Sequence, residues 1–243
     1  MKGLSALKRP GRPIRMAVTP DLLFVMKKKL KTMDWSMEKK RLVWCVATWA
    51  FIGALRGSEI LPESKHSFDP DQTLLGEDVL VEVIDGRPAV VLTLKCTKEK
   101  RQPNSTSVVE LYQMDKWFCP IDSFRKLLKE RGRVPEKSQP LFMLEGVGYT
   151  KQMMNEDLKL LFSDVVDYKQ HKIQTHSFRS GFTTFLARAG FSEDELKIVG
   201  RWSSASYMAY VKQGRAMNRQ KMKSLCDQLC RLSKTWTPGV LFV

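Results

Sequence analysis

A chain of 243 residues with 43% hydrophobic and 28% charged residues carries enough apolar content to bury a core, which excludes bulk disorder. Its formal net charge of +15 is the unusual quantity, because a surplus of that size repels itself on folding and points to a polyanionic partner. No apolar run is long enough to span a bilayer, and the basic N-terminus lacks the apolar stretch and small-residue cleavage site of a secretory signal. Five cysteines, Cys45, Cys96, Cys119, Cys226 and Cys230, are scattered and odd in number. Cys226 and Cys230 lie four apart with no second His or Cys pair to complete a zinc site, so all five read as reduced thiols of an intracellular protein.

In chain order, residues 1–18, with Lys8-Arg9-Pro10-Gly11-Arg12-Pro13, read as a flexible basic arm. Thr19 then supplies an N-cap and Pro20 the first helical position of a helix running through Leu22 and Leu30. A longer helix starts at Trp35-Ser36, shows Leu42, Cys45, Trp49 and Ile52 at the helical period, and runs into Leu55-Arg56-Gly57-Ser58-Glu59. Beyond Pro70 the pattern changes. Residues 79–84 alternate and are rich in valine, Asp85-Gly86 marks a turn, residues 89–94 form a second strand, and a lysine-rich loop over 97–107 leads to a third at 108–111. This is a small antiparallel sheet of about three strands. Helices return at 120–130, 151–166 and 176–189, the last closed by Gly190. Ser192-x-x-Glu195 is a capping box opening a short helix that ends near Gly200. Two more helices are expected at 207–213 and 217–232, the latter with Met222, Leu225, Leu229 and Leu232 on one face. The fold class is α+β, mostly α, without an internal repeat.

The chemistry concentrates in three blocks. In Thr175-His176-Ser177-Phe178-Arg179, His176 and Arg179 are three apart at the start of a helix, so both project from one side of a helix N-terminus, an anion cradle. Alone, a His-x-x-Arg on a helix is more often a surface pair. Arg56 ends an otherwise apolar helix, where a guanidinium is costly unless it meets a cleft or a partner charge; Glu59, one turn on, is such a partner. Downstream, Val199-Gly200-Arg201-Trp202 precedes Tyr207-Met208-Ala209-Tyr210.

Taken together, in this order and spacing, these blocks resemble the tyrosine recombinase family of phage integrases, and particularly its eukaryotic Crypton and DIRS-like branches. The similarity runs from about Thr19 to Val211. It implies an integrase-like catalytic domain over 19–215, after the 1–18 arm and before a C-terminal helix and tail at 216–243. Arg56 looks like the first catalytic arginine and Glu59 like the acidic residue that buttresses it. His176 and Arg179 match the second box, and Tyr210, ten positions after Gly200, falls where the nucleophile sits, ahead of its neighbour Tyr207. Lys98 is the best match to the family's hairpin lysine, with Lys95 as the fallback. Many members place His or Trp directly after the third-box glycine; here Arg201 stands there and Trp202 follows. Trp202 is the preferred filler of that role and Arg201 the alternative.

The implied reaction is phosphoryl transfer on double-stranded DNA without cofactor, metal or small-molecule substrate, and without a membrane. Two permanently charged, planar guanidinium groups suit a transition state whose charge spreads over non-bridging oxygens. They also favour the ionised form of a tyrosine whose unperturbed pKa is about 10. Lys98 would protonate the leaving 5′-oxygen. Lys27, Lys28, Lys29 and Lys31, with the arm, would neutralise DNA backbone charge. The resemblance also implies a homo-oligomer on DNA, a tetrameric synapse, and a nuclear location in a eukaryote or a cytoplasmic one otherwise. Family members carry an N-terminal helical domain that closes a clamp around DNA, whereas here only the short arm precedes the catalytic block. That sets a catalytically idle, transposon-derived DNA-binding protein beside the active enzyme, with a type IB topoisomerase and a general basic scaffold as further readings.

Overall fold

The computed structural model describes residues 13–95, 106–115, 117–133, 136–167, 170–189 and 191–201. Helix α1 (Pro20–Thr32) begins where Thr19 Oγ1 accepts the Leu22 N–H at 3.3 Å, and it buries Leu23, Met26 and Leu30 along one stripe. Helix α2 (Met37–Ile52) differs from the one-faced helix that the periodicity predicts, because residues 42–52 are buried on every side. It is the central rod of the domain, packed by α1, by α4 (Pro120–Arg131) and by α6 (Thr175–Arg188). Its buried polar groups are satisfied: Thr48 meets the Ser123 hydroxyl at 2.8 Å, and Trp49 Nε1 donates to Pro120 O at 3.1 Å. Trp49 also packs between Phe124 and Phe142, with ring centroids 5.0 and 5.4 Å away.

After the single-turn α3 (Gly57–Ile60), the predicted sheet is present as β2 (Val79–Ile84), β3 (Arg87–Leu94) and β4 (Ser107–Tyr112), antiparallel in the order β2-β3-β4. Asp85 and Gly86 both take positive φ, 50° and 75°, the backbone that a two-residue hairpin between right-twisted strands requires. Val90 and Leu92 face the core with their partners Leu111 and Val109. Gly53, at the end of α2, lies so close to this face that a Cβ there would sit 3.1 Å from Leu111 Cδ2. The rod and the sheet thus meet at the end of α2, beside Arg56.

Three local features differ from the sequence expectation. Helix α5 (Lys151–Leu161) stops before the predicted 166, its end turned by the Phe162 N–H donating to Leu158 O at 3.0 Å. A two-residue hairpin, β5 (Met143–Leu144) with β6 (Val147–Gly148), has strands too short for alternation to register. The flexible-arm reading is corrected over residues 13–18. Here β1 (Ile14–Arg15) pairs in parallel with β7 (His171–Lys172), and Val18, fully buried, donates its N–H to Ser177 O at 2.9 Å. Parallel pairing with a strand more than 150 positions away leaves no local pattern to read. Helix α7 (Glu193–Gly200) follows its predicted capping box, Ser192 Oγ accepting from Glu195 N at 3.3 Å. The helices expected at 207–213 and 217–232, the 216–243 segment and most of the 97–107 loop lie outside the described residues.

Residues 16–18 cross α6 at Gly181, where an added Cβ would lie 1.8 Å from Val18 O. Gly181→Ala is therefore expected to destabilise the domain by about 3 kcal/mol, because backbone rather than a mobile side chain must give way. Urea unfolding checks this, with Gly86→Ala, which meets no neighbour but has positive φ, as a milder comparison.

Candidate active site

The site is built around the corner between α2 and α3. The Gly53 N–H still bonds to Trp49 O, but Ala54 turns into the left-handed region at φ 45°, which costs a non-glycine residue on the order of 1 kcal/mol. The turn leaves the Gly53 and Ala54 carbonyls, acceptors at a helix C-terminus, aimed away from α2. Two guanidinium groups from distant segments take them. Arg179 Nη1 donates to Ala54 O at 3.0 Å; Arg201 donates through Nη1 to Gly53 O at 2.8 Å and through Nη2 to Ala54 O at 3.0 Å. Arg179 Nη2 also bonds to Gly200 O, so one side chain joins the corner, α6 and the end of α7.

Arg56 follows directly. Its Nη1 donates to Glu59 Oε1 at 2.8 Å, while its backbone N–H donates to Glu59 Oε2 at 2.7 Å. Glu59 is 4% exposed, and its Oε2 also accepts from Arg201 Nη2 at 2.8 Å. Glu59 thus bridges two arginines rather than one. Arg201, itself in the left-handed region at φ 50°, caps α7 and points inward to this carboxylate.

Helix α6 brings the second box to the same corner. Asn155 of α5 accepts the Thr175 N–H at 2.9 Å, and Ser177 Oγ accepts the Gln174 N–H at 3.1 Å. Gly57 lets α3 approach α6 closely, since a Cβ there would stand 2.7 Å from Thr175 Oγ1. Phe178, Phe182 and Leu186 are fully buried and fix the helix roll. His176 and Arg179 differ in burial more than their spacing suggests: His176 is exposed, whereas Arg179 is only 1% exposed. His176 lies one residue into the helix, where the first turn emerges from the body; Arg179 follows Phe178 inward.

Partial desolvation of the imidazole lowers the His176 pKa, and the charges of Arg15, Arg179, Arg56 and Lys151 lower it further. Five basic groups thus surround one helix start. Lys151 was not singled out by the sequence reading, and Arg15 counted only as part of the arm. Neither has an ion-pair partner among the described residues. Arg15 reaches the site through the β1–β7 pairing; Lys151 reaches it because Asn155, one turn further along α5, is tied to Thr175.

Other candidates have different surroundings. Lys95 Nζ faces Asp78 Oδ2 at 2.9 Å, Glu77 at 3.6 Å and Pro70 O at 3.2 Å. On α1, Lys27 donates to Trp117 O at 2.9 Å and lies over the Trp44 and Trp117 rings, and Lys29 pairs with Asp164, so both are engaged within the domain. Lys98, Trp202, Tyr207 and Tyr210 lie outside the described residues. Among the described residues no cluster of His, Cys, Asp and Glu has the makings of a metal site.

Neither a protein-family model nor a curated protein sequence matches the chain. Solved structures do. The site-specific recombinase XerH, bound to its difH substrate in a pre-cleavage complex, aligns with a TM-score of 0.56 at 16% identity, covering 79% of this chain and 48% of that one. The XerH post-cleavage complex with palindromic difH gives 0.55 at 15%, covering 82% and 49%. A Flpe–Holliday junction complex gives 0.55 at 15%, covering 79% and 46%. The chain spans about half the length of these proteins. At such identities the likeness is one of fold: this is the α+β architecture of integrase catalytic domains.

Because it is partly desolvated and cations surround it, His176 is expected to titrate below 6.5, and Arg15→Ala or Lys151→Ala should raise its midpoint. The unfolded chain then holds the proton more tightly than the native one. Any contribution to stability is complete above 6.5 and is lost as pH falls through 6.5 toward the folded midpoint. Imidazole NMR titration reads both the midpoint and its upward shift when an anion occupies the site.

Proposed function

We propose that this chain is the catalytic domain of a DNA-cleaving and rejoining tyrosine recombinase. One observation carries the reading: Arg56, His176 and Arg179, from segments far apart in sequence, converge on one corner of an integrase-type fold, with Glu59 and further basic residues around them. A phosphodiester placed there would meet permanent positive charge and an imidazole donor, which suits stabilisation of a phosphoryl-transfer transition state.

In the proposed reaction the Tyr210 hydroxyl gives its proton to water and attacks the scissile phosphorus. The bond from phosphorus to the 5′-oxygen breaks, Lys98 protonates that leaving oxygen, and the product is a 3′-phosphotyrosyl ester with a free 5′-hydroxyl. Attack by a 5′-hydroxyl reverses the step and rejoins DNA, with no cofactor consumed. Trp202 donates a hydrogen bond to a non-bridging oxygen. Double-stranded DNA is the partner, a homo-oligomeric synapse the working assembly, and the nucleus the site of action in a eukaryote. The Gly200-Arg201-Trp202 arrangement supports a Crypton- or DIRS-like, transposon-derived origin.

A binding-only role has one observation in its favour. The Arg179 guanidinium is 1% exposed and engaged with the Ala54 and Gly200 carbonyls, which serves the fold as well as catalysis. Nicked or suicide duplex substrates separate the two. The enzyme is expected to leave a covalent protein–DNA adduct on a denaturing gel, lost in Tyr210→Phe and kept in Tyr207→Phe. An adduct indifferent to Tyr210→Phe would overturn the nucleophile, and salt-sensitive DNA binding without adduct would leave the binding-only protein.

A further inference from the structure

We infer that Arg201 is a positioning residue that balances the charge of Glu59, so that the positive charge of Arg56 stays directed at a DNA phosphate; the inference rests on the function proposed above. Glu59 is almost wholly buried, and its two oxygens are divided: Oε1 takes Arg56 Nη1 at 2.8 Å, and Oε2 takes the Arg56 N–H at 2.7 Å and Arg201 Nη2 at 2.8 Å. Two guanidinium groups and one carboxylate leave this trio with one net positive charge. Without Arg201, Arg56 and Glu59 form a neutral pair, in surroundings where both side chains are largely removed from water, at 15% and 2% exposure. An incoming anion then meets a dipole in place of a net positive charge, and the attraction falls off much faster with distance.

The geometry of Arg201 separates it from a phosphate ligand. Three bonds of its guanidinium run into the body of the domain, to Gly53 O at 2.8 Å, Ala54 O at 3.0 Å and Glu59 Oε2 at 2.8 Å. A left-handed backbone at φ 50°, which a non-glycine residue adopts at a cost, aims the side chain there. The position directly after the third-box glycine thus serves the first arginine from behind, and the donor to phosphate is left to another residue. With a cation on each oxygen, Glu59 holds Arg56 in place without neutralising it completely.

The test is a binding cycle, with the Kd of the whole chain for a fluorescein-labelled duplex read by anisotropy at fixed salt. The wild type, Arg201→Met, and the double variant Arg201→Met/Glu59→Gln are compared. Arg201→Met is expected to weaken binding about tenfold, the scale of one charge-assisted contact, because the trio loses its net positive charge. The double variant should recover most of that loss, since removing the Glu59 charge restores one net positive charge. A purely structural anchor predicts the opposite, a double variant that is no better than Arg201→Met. Binding by Arg201→Met within about twofold of the wild type, or a double variant no better than Arg201→Met, overturns the inference.

Should Arg201→Met fail to fold, Arg201→Lys keeps the charge while losing the planar fork. It should bind the duplex within about twofold of the wild type, and binding about tenfold weaker overturns charge balance. The readout needs no strand cleavage. A protein that forms no adduct but passes this cycle has lost the proposed chemistry and kept the role of Arg201.

Discussion

The carbonyl oxygen of Ala54 accepts from Arg179 and from Arg201, and the rest of the site is arranged around that shared acceptor. A left-handed alanine in a fully buried corner is an unfavourable backbone state, and it persists because two guanidinium groups from remote segments complete its hydrogen bonding. The same turn ends α2, sets Arg56 one residue past the buried Leu55, and lets Glu59 fold back under it. Corner, α6 and α7 therefore hold one another. Arg179 belongs to this brace as much as to any ligand, which explains how an arginine can be among the most deeply buried large side chains of the domain.

Much of this was legible in the sequence because it is local. Thr19-Pro20, Ser192-x-x-Glu195 and Asp85-Gly86 each specify a cap or turn within four residues, and the structure has each of them. The three-stranded sheet follows from alternation that strand register preserves. Arg56 and Glu59 could be paired on spacing alone, because an interaction across three positions needs no knowledge of the fold. What could not be read is whatever depends on distant pairing. The β1–β7 ladder, the approach of Gly181 to Val18, and the arrival of Lys151 at the start of α6 leave no local pattern. Arg201 was legible as a residue out of place in a motif, but its inward direction is set by a backbone angle that its neighbours in sequence do not reveal.

The electrostatic layout divides the basic surplus into two kinds. Lysines of α1 such as Lys27 and Lys29 are engaged with aromatic rings, a carbonyl and Asp164, and so serve the body of the domain. Arg15, Lys151 and His176 have no such partners among the described residues and are grouped where α5, α6 and β1 meet. Net charge alone does not distinguish the two. Burial and pairing do, and they concentrate the field at one helix start, where a phosphate gains most from it.

The bonds that close the corner span very large stretches of chain: 125 positions from Arg179 to Ala54, 148 from Arg201 to Gly53 and 142 from Arg201 to Glu59. Closing such loops costs chain entropy that no single hydrogen bond repays, so these contacts form only when the intervening core has already condensed. A partly folded chain can present helices, a hairpin and a strongly basic surface, yet it has no assembled corner. Assembly of the cluster is in this sense a folding checkpoint. A nascent or damaged molecule keeps its net charge, but the groups of the corner come together only once the core has formed.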